Sequence, residues 1–183
     1  MVTATHKSEL RSSLSKAFED FMLTLSQFGD TNINEAPSAG CWTPAQVAVH
    51  IIMATDGVPD GHTSPAHRPY DANMPKIRPW WEDFSQKFNA PLPLTPDDLP
   101  QSKKILLEEL ERVKTKDLAL IDKSDLSAVC LDFELPMVGY LTRFEWLWFS
   151  EIHLRRHRFQ LENMLKASAG TLAHPGVTGT SSF

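Results

Sequence analysis

The sequence is short of cysteine, of basic charge and of long apolar runs, and each shortage closes a class of function. Cys41 and Cys130 are its two cysteines, far apart and in no CxxC spacing, which argues against a disulfide framework or a cysteine zinc cluster. A reducing, cytoplasmic setting fits. Lys and Arg number 18 against 23 Asp and Glu, a net charge of -5, whereas nucleic-acid-binding domains carry a basic excess to match the phosphates. No nucleic-acid partner is expected. No stretch approaches the ~18 apolar residues that cross a bilayer, and the start of the chain is polar with no apolar core of a signal segment, so neither membrane association nor export is expected. The sequence has no internal repeat and almost no strand-like alternation.

What is present is length and helical periodicity. With 183 residues, 42% of them hydrophobic, the chain suits one domain that buries roughly 70% of its extended surface on folding. In residues 6–28, Leu10, Leu14, Ala17, Phe18, Phe21, Met22, Leu25 and Phe28 recur at spacings of three and four, the pattern of one buried helix face. A second helix opens at Thr43, where an N-cap hydroxyl is followed by Pro44 and by Gln46 in capping-box position, and should end near Gly57. Residues 101–122 make a third, with Leu106, Leu110, Val113, Leu120 and Ile121 inward. Thr142 and Glu145 form a second capping box and open a last helix expected to reach about residue 166.

Between the second and third of these helices, residues 57–100 hold nine of the 13 prolines. No long helix fits there, although a short one over residues 80–88 does. A connection of that length is uncommon unless it forms a lid or binding loop, and the pair Trp80-Trp81 offers a way to pack it on the body, with a surface wrap as the rival reading. The expected architecture is all-α, a bundle of four long helices with this Pro-rich connection: a single domain over residues 1–166 and a mobile tail over 167–183.

His153 and His157 lie one turn apart on the last helix, close enough to hold the same ion. At roughly 100° per residue, Trp146, Phe149, His153, His157, Gln160 and Met164 share one stripe beside a leucine stripe, so both histidines face inward, while Glu151, Arg155 and Glu162 fall on faces read as solvated. Seven histidines give roughly a one-in-five chance of such a pair by accident, and hydrogen-bonded core histidines are the rival reading. His50, between Val47 and Ala54 on the second helix, is the candidate third ligand. Gln160 is placed to orient a ligand imidazole or simply to pack, and Trp146 and Phe149 to line a pocket. Asp56 points to another face. Asp60, His62 and His67 lie on the long connection, which can fold over the site, but they are read as solvated. Arg155, Arg156 and Arg158 are read as a solvated face or a basic cluster for an anion.

Two segments carry a resemblance. Gly40-Cys41-Trp42-Thr43-Pro44-Ala45-Gln46-Val47-Ala48-Val49-His50 resembles the "W-(S/T)-x-x-(E/Q)-x-x-x-H" opening of helix two in the DinB/YfiT-like superfamily. Gly139-Tyr140-Leu141-Thr142-Arg143-Phe144-Glu145-Trp146, continuing to His153-Leu154-Arg155-Arg156-His157-Arg158-Phe159-Gln160, is similar to its final "G-x-L-T-x-x-E-W … H-x-x-(R/H)-H-x-x-Q" helix. The resemblance implies an up-down-down-up four-helix bundle, often homodimeric, in which His50, His153 and His157 hold a divalent metal, zinc or nickel. It also implies small-molecule chemistry of two kinds, thiol-dependent S-transfer, with a low-molecular-weight thiol as co-substrate, or hydrolysis. No further catalytic residue stands out, and a non-catalytic metal-containing bundle that binds a ligand or partner subunit is the alternative.

Overall fold

The computed structural model describes residues 1–86 and 88–172, with side chains through residue 168. Four long helices supply the core: α1 (Ala4–Ser26), α2 (Pro44–Thr55), α4 (Lys103–Lys123) and α5 (Arg143–Leu172), with the short α3 (Met74–Trp81) between α2 and α4. Helices α1 and α2 each pack against both α4 and α5. The stripes responsible are those of the sequence pattern, with Leu14, Phe18, Phe21, Leu110, Val113 and Leu147 fully buried in one cluster.

Local signals fix the helix starts. Thr43 Oγ1 accepts from the Gln46 amide (3.0 Å) while the Thr43 amide donates to Gln46 Oε1 (2.9 Å), with Pro44 in the first helical position. The chain leaves α2 through Gly57 at φ +88°, which a side chain rarely adopts. Thr142 and Glu145 repeat the capping exchange at the head of α5, with Thr142 N donating to Oε2 (2.9 Å) and Glu145 N to Thr142 Oγ1 (3.1 Å).

The all-α, four-helix expectation needs two corrections. First, a three-stranded antiparallel sheet is present, in the order β1 (Thr63–Ser64), β2 (Val129–Leu135), β3 (Gly139–Thr142). Thr63 faces Cys130, Leu135 faces Gly139, and the register between β2 and β3 shifts between Val129 and Glu134. The β2–β3 turn is built on left-handed backbone at Met137 (φ 65°) and Gly139 (φ 98°). Second, the short helix of the Pro-rich connection covers Met74–Trp81 rather than residues 80–88. Pro75 sits in its first turn, where no amide hydrogen is required; Ile77 is buried in the core, and Trp81, four residues on, packs against Phe149 and His153 of α5. At the other end, α5 runs past the expected boundary at residue 166 to Leu172. Residues 173–183 of the expected tail lie outside the described residues.

Glu145 also fastens the connection to the body. Its fully buried carboxylate accepts two bonds from Arg68 (2.9 and 2.7 Å) and one from the Asn73 amide (2.6 Å). A buried carboxylate with charged and neutral donors on both oxygens is satisfied, so the start of α5 and residues 68–73 form one rigid unit.

Candidate metal centre

His50 sits in the middle of α2, and His153 and His157 on successive turns of α5. The Nε2 of His153 lies 3.2 Å from that of His50 and 3.0 Å from that of His157, and the three ligand atoms lie within 4.8 Å of one another. His50 and His153 are buried and His157 is half-buried.

The outer ring nitrogens show which way each imidazole is committed. His50 Nδ1 lies 2.8 Å from the Leu94 carbonyl; a carbonyl only accepts, so Nδ1 carries the hydrogen and Nε2 presents its lone pair. His157 Nδ1 lies 2.8 Å from Gln160 Oε1, which assigns the same tautomer. Two lone pairs then converge on His153 Nε2, whose single hydrogen in the neutral ring serves one of them well. A cation among the three satisfies all of them. Ligand atoms on a tetrahedral zinc, at bonds of 2.0–2.1 Å, stand about 3.3 Å apart, so the donor set fits a divalent ion.

Electrostatics keeps the set ready for metal. Burial lowers the pKa of His50, opposed by its bond to Leu94. Burial takes His153 well below the usual range, helped by the neighbouring His157 and His50, and brings His157 down to about 4. All three rings are therefore neutral near pH 7, the form that ligates.

His153 Nδ1 is buried and has no hydrogen-bond partner among the described residues, so its ring is positioned by packing. The Trp81 ring stands 5.5 Å away at 72° and the Phe149 ring 5.7 Å away, while Trp42 packs 5.1 Å from His50. Trp146 packs edge-on against Phe149 and Phe133, one ring further out. Trp80 is exposed.

The Pro-rich connection thus reaches the centre twice, through the Leu94 carbonyl and the Trp81 ring. Arg156 holds the second of these in place. Its guanidinium donates to the carbonyls of Trp81 (3.4 Å), Asp83 (3.0 Å) and Gln86, and lies over the Phe88 ring at 4.7 Å. The supposed basic cluster is accordingly divided: Arg158 pairs with Glu162 and Asp20, and Arg155 with Glu151. Glu151, read as solvated, is in fact buried. Asp56 is bound by Arg112 and Lys116, Asp60 by Arg143 and His62 by Asp132, and His67 is exposed. Cys130 is buried, which pushes its thiol up to about 12 and leaves it an inert packing group; Cys41 is exposed.

The fold has counterparts among known proteins. A family profile described as the DinB superfamily matches residues 13–161. Among solved structures, the chain is similar to a protein of Exiguobacterium sibiricum 255-15 provisionally assigned to the DinB family, with a TM-score of 0.54 and 15% identity over 92% of this chain and 95% of that one. At that identity the likeness speaks for the fold alone. No curated protein matches the sequence.

Proposed function

The chain belongs to the DinB superfamily, and from that premise we propose that His50, His153 and His157 hold one divalent ion, zinc or nickel, for chemistry on a small molecule, by thiol-dependent S-transfer or by hydrolysis. The observation that carries the proposal is the convergence of three buried or half-buried Nε2 atoms with neutral rings. Three protein ligands are the number found in catalytic zinc sites, since structural sites close the shell with a fourth. When bound, such an ion supplies the Lewis acidity that brings the pKa of water or a thiol towards neutrality.

The remaining roles belong to the chain. Leu94 and Gln160 fix the ring orientations of His50 and His157. Trp81 and Phe149 pack against His153 and keep water from the rings. Arg156, bound to carbonyl groups, keeps its positive charge beside the centre and disfavours protonation of His153 and His157.

Assaying metal-loaded protein against thiol–acceptor pairs and against small amides and esters, beside His153→Ala, tests the reading. Turnover in one panel and its loss in the variant support an enzyme. Metal-loaded protein that turns over neither panel supports the alternative of a non-catalytic metal-containing bundle, which the close packing of Trp81 on His153 favours. The proposal extends to a homodimer, read by light scattering as twice the chain mass.

A further inference from the structure

Helix α3 is fastened unequally at its two ends. At its start the Asn73 amide donates to the buried Glu145 carboxylate at 2.6 Å, and the Asn73 side chain donates to the Tyr140 carbonyl at 3.3 Å. Just before it, the Thr142 hydroxyl donates to the Tyr70 carbonyl at 2.6 Å. At the far end the Arg156 guanidinium of α5 donates to the carbonyls of Trp81, Asp83 and Gln86. One end is thus tied to a buried charge, the other to neutral carbonyls by a single side chain.

The helix between these ties has little stability of its own. Of its eight residues Ile77 is buried, Trp80 is 58% exposed, and Trp81 is half-buried. Pro79 inside it has no amide hydrogen for the Pro75 carbonyl, and a helix this short is marginal by itself. Arg78 adds one cation–π contact, 5.7 Å from the Trp148 ring of α5. The loosely held end is also the one that covers the histidine centre. His153 is 6% exposed, and the Trp81 ring closes over it beside Phe149. Segments with few buried apolar contacts open locally, at far lower cost than the whole fold.

We propose that α3 is a lid on the histidine centre, hinged at Asn73 and latched by Arg156, whose opening carries Trp81 off His153 and gives solutes access to that ring. The purpose of such a lid rests on the reading of the three histidines as the working centre, but its movement is measured without metal. Arg156 is a positioning residue: it touches the Trp81 backbone and acts on His153 through the Trp81 ring. Loss of one charge-assisted hydrogen bond to the lid shifts its opening equilibrium about tenfold or more.

Two measurements on metal-free, full-length protein at about pH 7.5, where unprotonated imidazole reacts, test this in wild type and Arg156→Gln. The first is residue-resolved amide hydrogen exchange. The second is carbethoxylation of histidines by diethyl pyrocarbonate, located by mass spectrometry. In wild type the Trp80, Trp81 and Glu82 amides should be about tenfold or more less protected than the Asn73 amide. In the variant, exchange at those three residues and carbethoxylation of His153 should both rise about tenfold, with Asn73 and the exposed His67 unchanged. Arg156→Lys, which keeps the charge but not the fork, should fall between. Equal protection of Asn73 and Trp81 in wild type would overturn the hinge, and that comparison needs no variant. Unchanged exchange in a folded variant would overturn the latch. Faster exchange with unchanged carbethoxylation of His153 would overturn the lid in favour of entry past the half-buried His157. Protein that opens as expected yet takes up no zinc would support the lid and refute the metal reading alone.

Discussion

Replacing Asp117 with Asn gives a stability change that depends on pH in a calculable way, because the amide has the shape of the neutral acid and cannot ionise. In the folded protein burial raises the carboxyl from its ordinary 3.8 to about 7. The folded state thus holds a proton that the unfolded chain releases between those values, and wild-type stability falls as pH rises through that window. The penalty is absent below about pH 3.8 and complete above about pH 7. At 1.36 kcal/mol per pH unit most of it, about 3 kcal/mol, sets in between pH 5 and pH 8.5. Relative to Asp117→Asn, wild type should therefore lose about 3 kcal/mol between the two pH values. For a chain of this size that is roughly 6 to 12 °C of Tm. Paired thermal melts at pH 5 and 8.5 measure it, and taking the difference between the two proteins removes the contributions of every other titrating group. A difference that stays constant with pH, or that shrinks as pH rises, would refute the reasoning.

Three further outcomes follow from the same geometry. Glu145→Ala takes the counter-charge from the Arg68 guanidinium, which keeps only the Pro69 and Tyr140 carbonyls, and leaves the Asn73 and Thr142 amides without their acceptor; it should cost about 3 kcal/mol in denaturant unfolding, with Glu145→Gln intermediate. Gln160→Ala removes the acceptor on His157 Nδ1 and should weaken metal binding about 10- to 100-fold in competition titrations without changing the metal-free melt. Chelation should lower the wild-type Tm at pH 8, by the equivalent of about 4 kcal/mol when free metal had stood a thousandfold above Kd. It should do much less at pH 5, where protons compete for the rings, and nothing in His153→Ala; because burial lowers the folded pKa values of the three histidines, metal-free wild type should itself weaken as pH falls below about 6.5.

The parts of the fold legible in the sequence are those encoded by neighbours along the chain. The capping boxes at Thr43 and Thr142 and the stripes of α1 and α4 depend on spacings of three and four, and so does the placement of His153, His157 and Gln160 on one face of α5. His50 joins them because the inward faces of two packed helices must meet. The strand β2 carries a period of two in Leu131-Asp132-Phe133-Glu134-Leu135, but Leu131 and Phe133 are exposed, so the alternation marks no buried face. Helix α3 hides among prolines because Pro75 occupies a first turn that tolerates it, while Pro79 stands inside the helix, where a sequence reading expects a break. Glu151 misleads because α5 is packed by α1, α2 and α3, whereas a stripe argument assumes one wet face. The Leu94 carbonyl that orients His50 is backbone, and backbone atoms have no signature in residue type. Arg156 reads like its arginine neighbours until the chain brings three carbonyls to it.

The central claim, that these three histidines make a single metal site, is tested most directly by counting metal. Elemental analysis of wild type and His50→Ala, each loaded with zinc or nickel and dialysed, should find one ion per wild-type chain and a large loss in the variant, whose helices by circular dichroism remain intact. Equal metal content in the two proteins, or wild type that retains none, would contradict it.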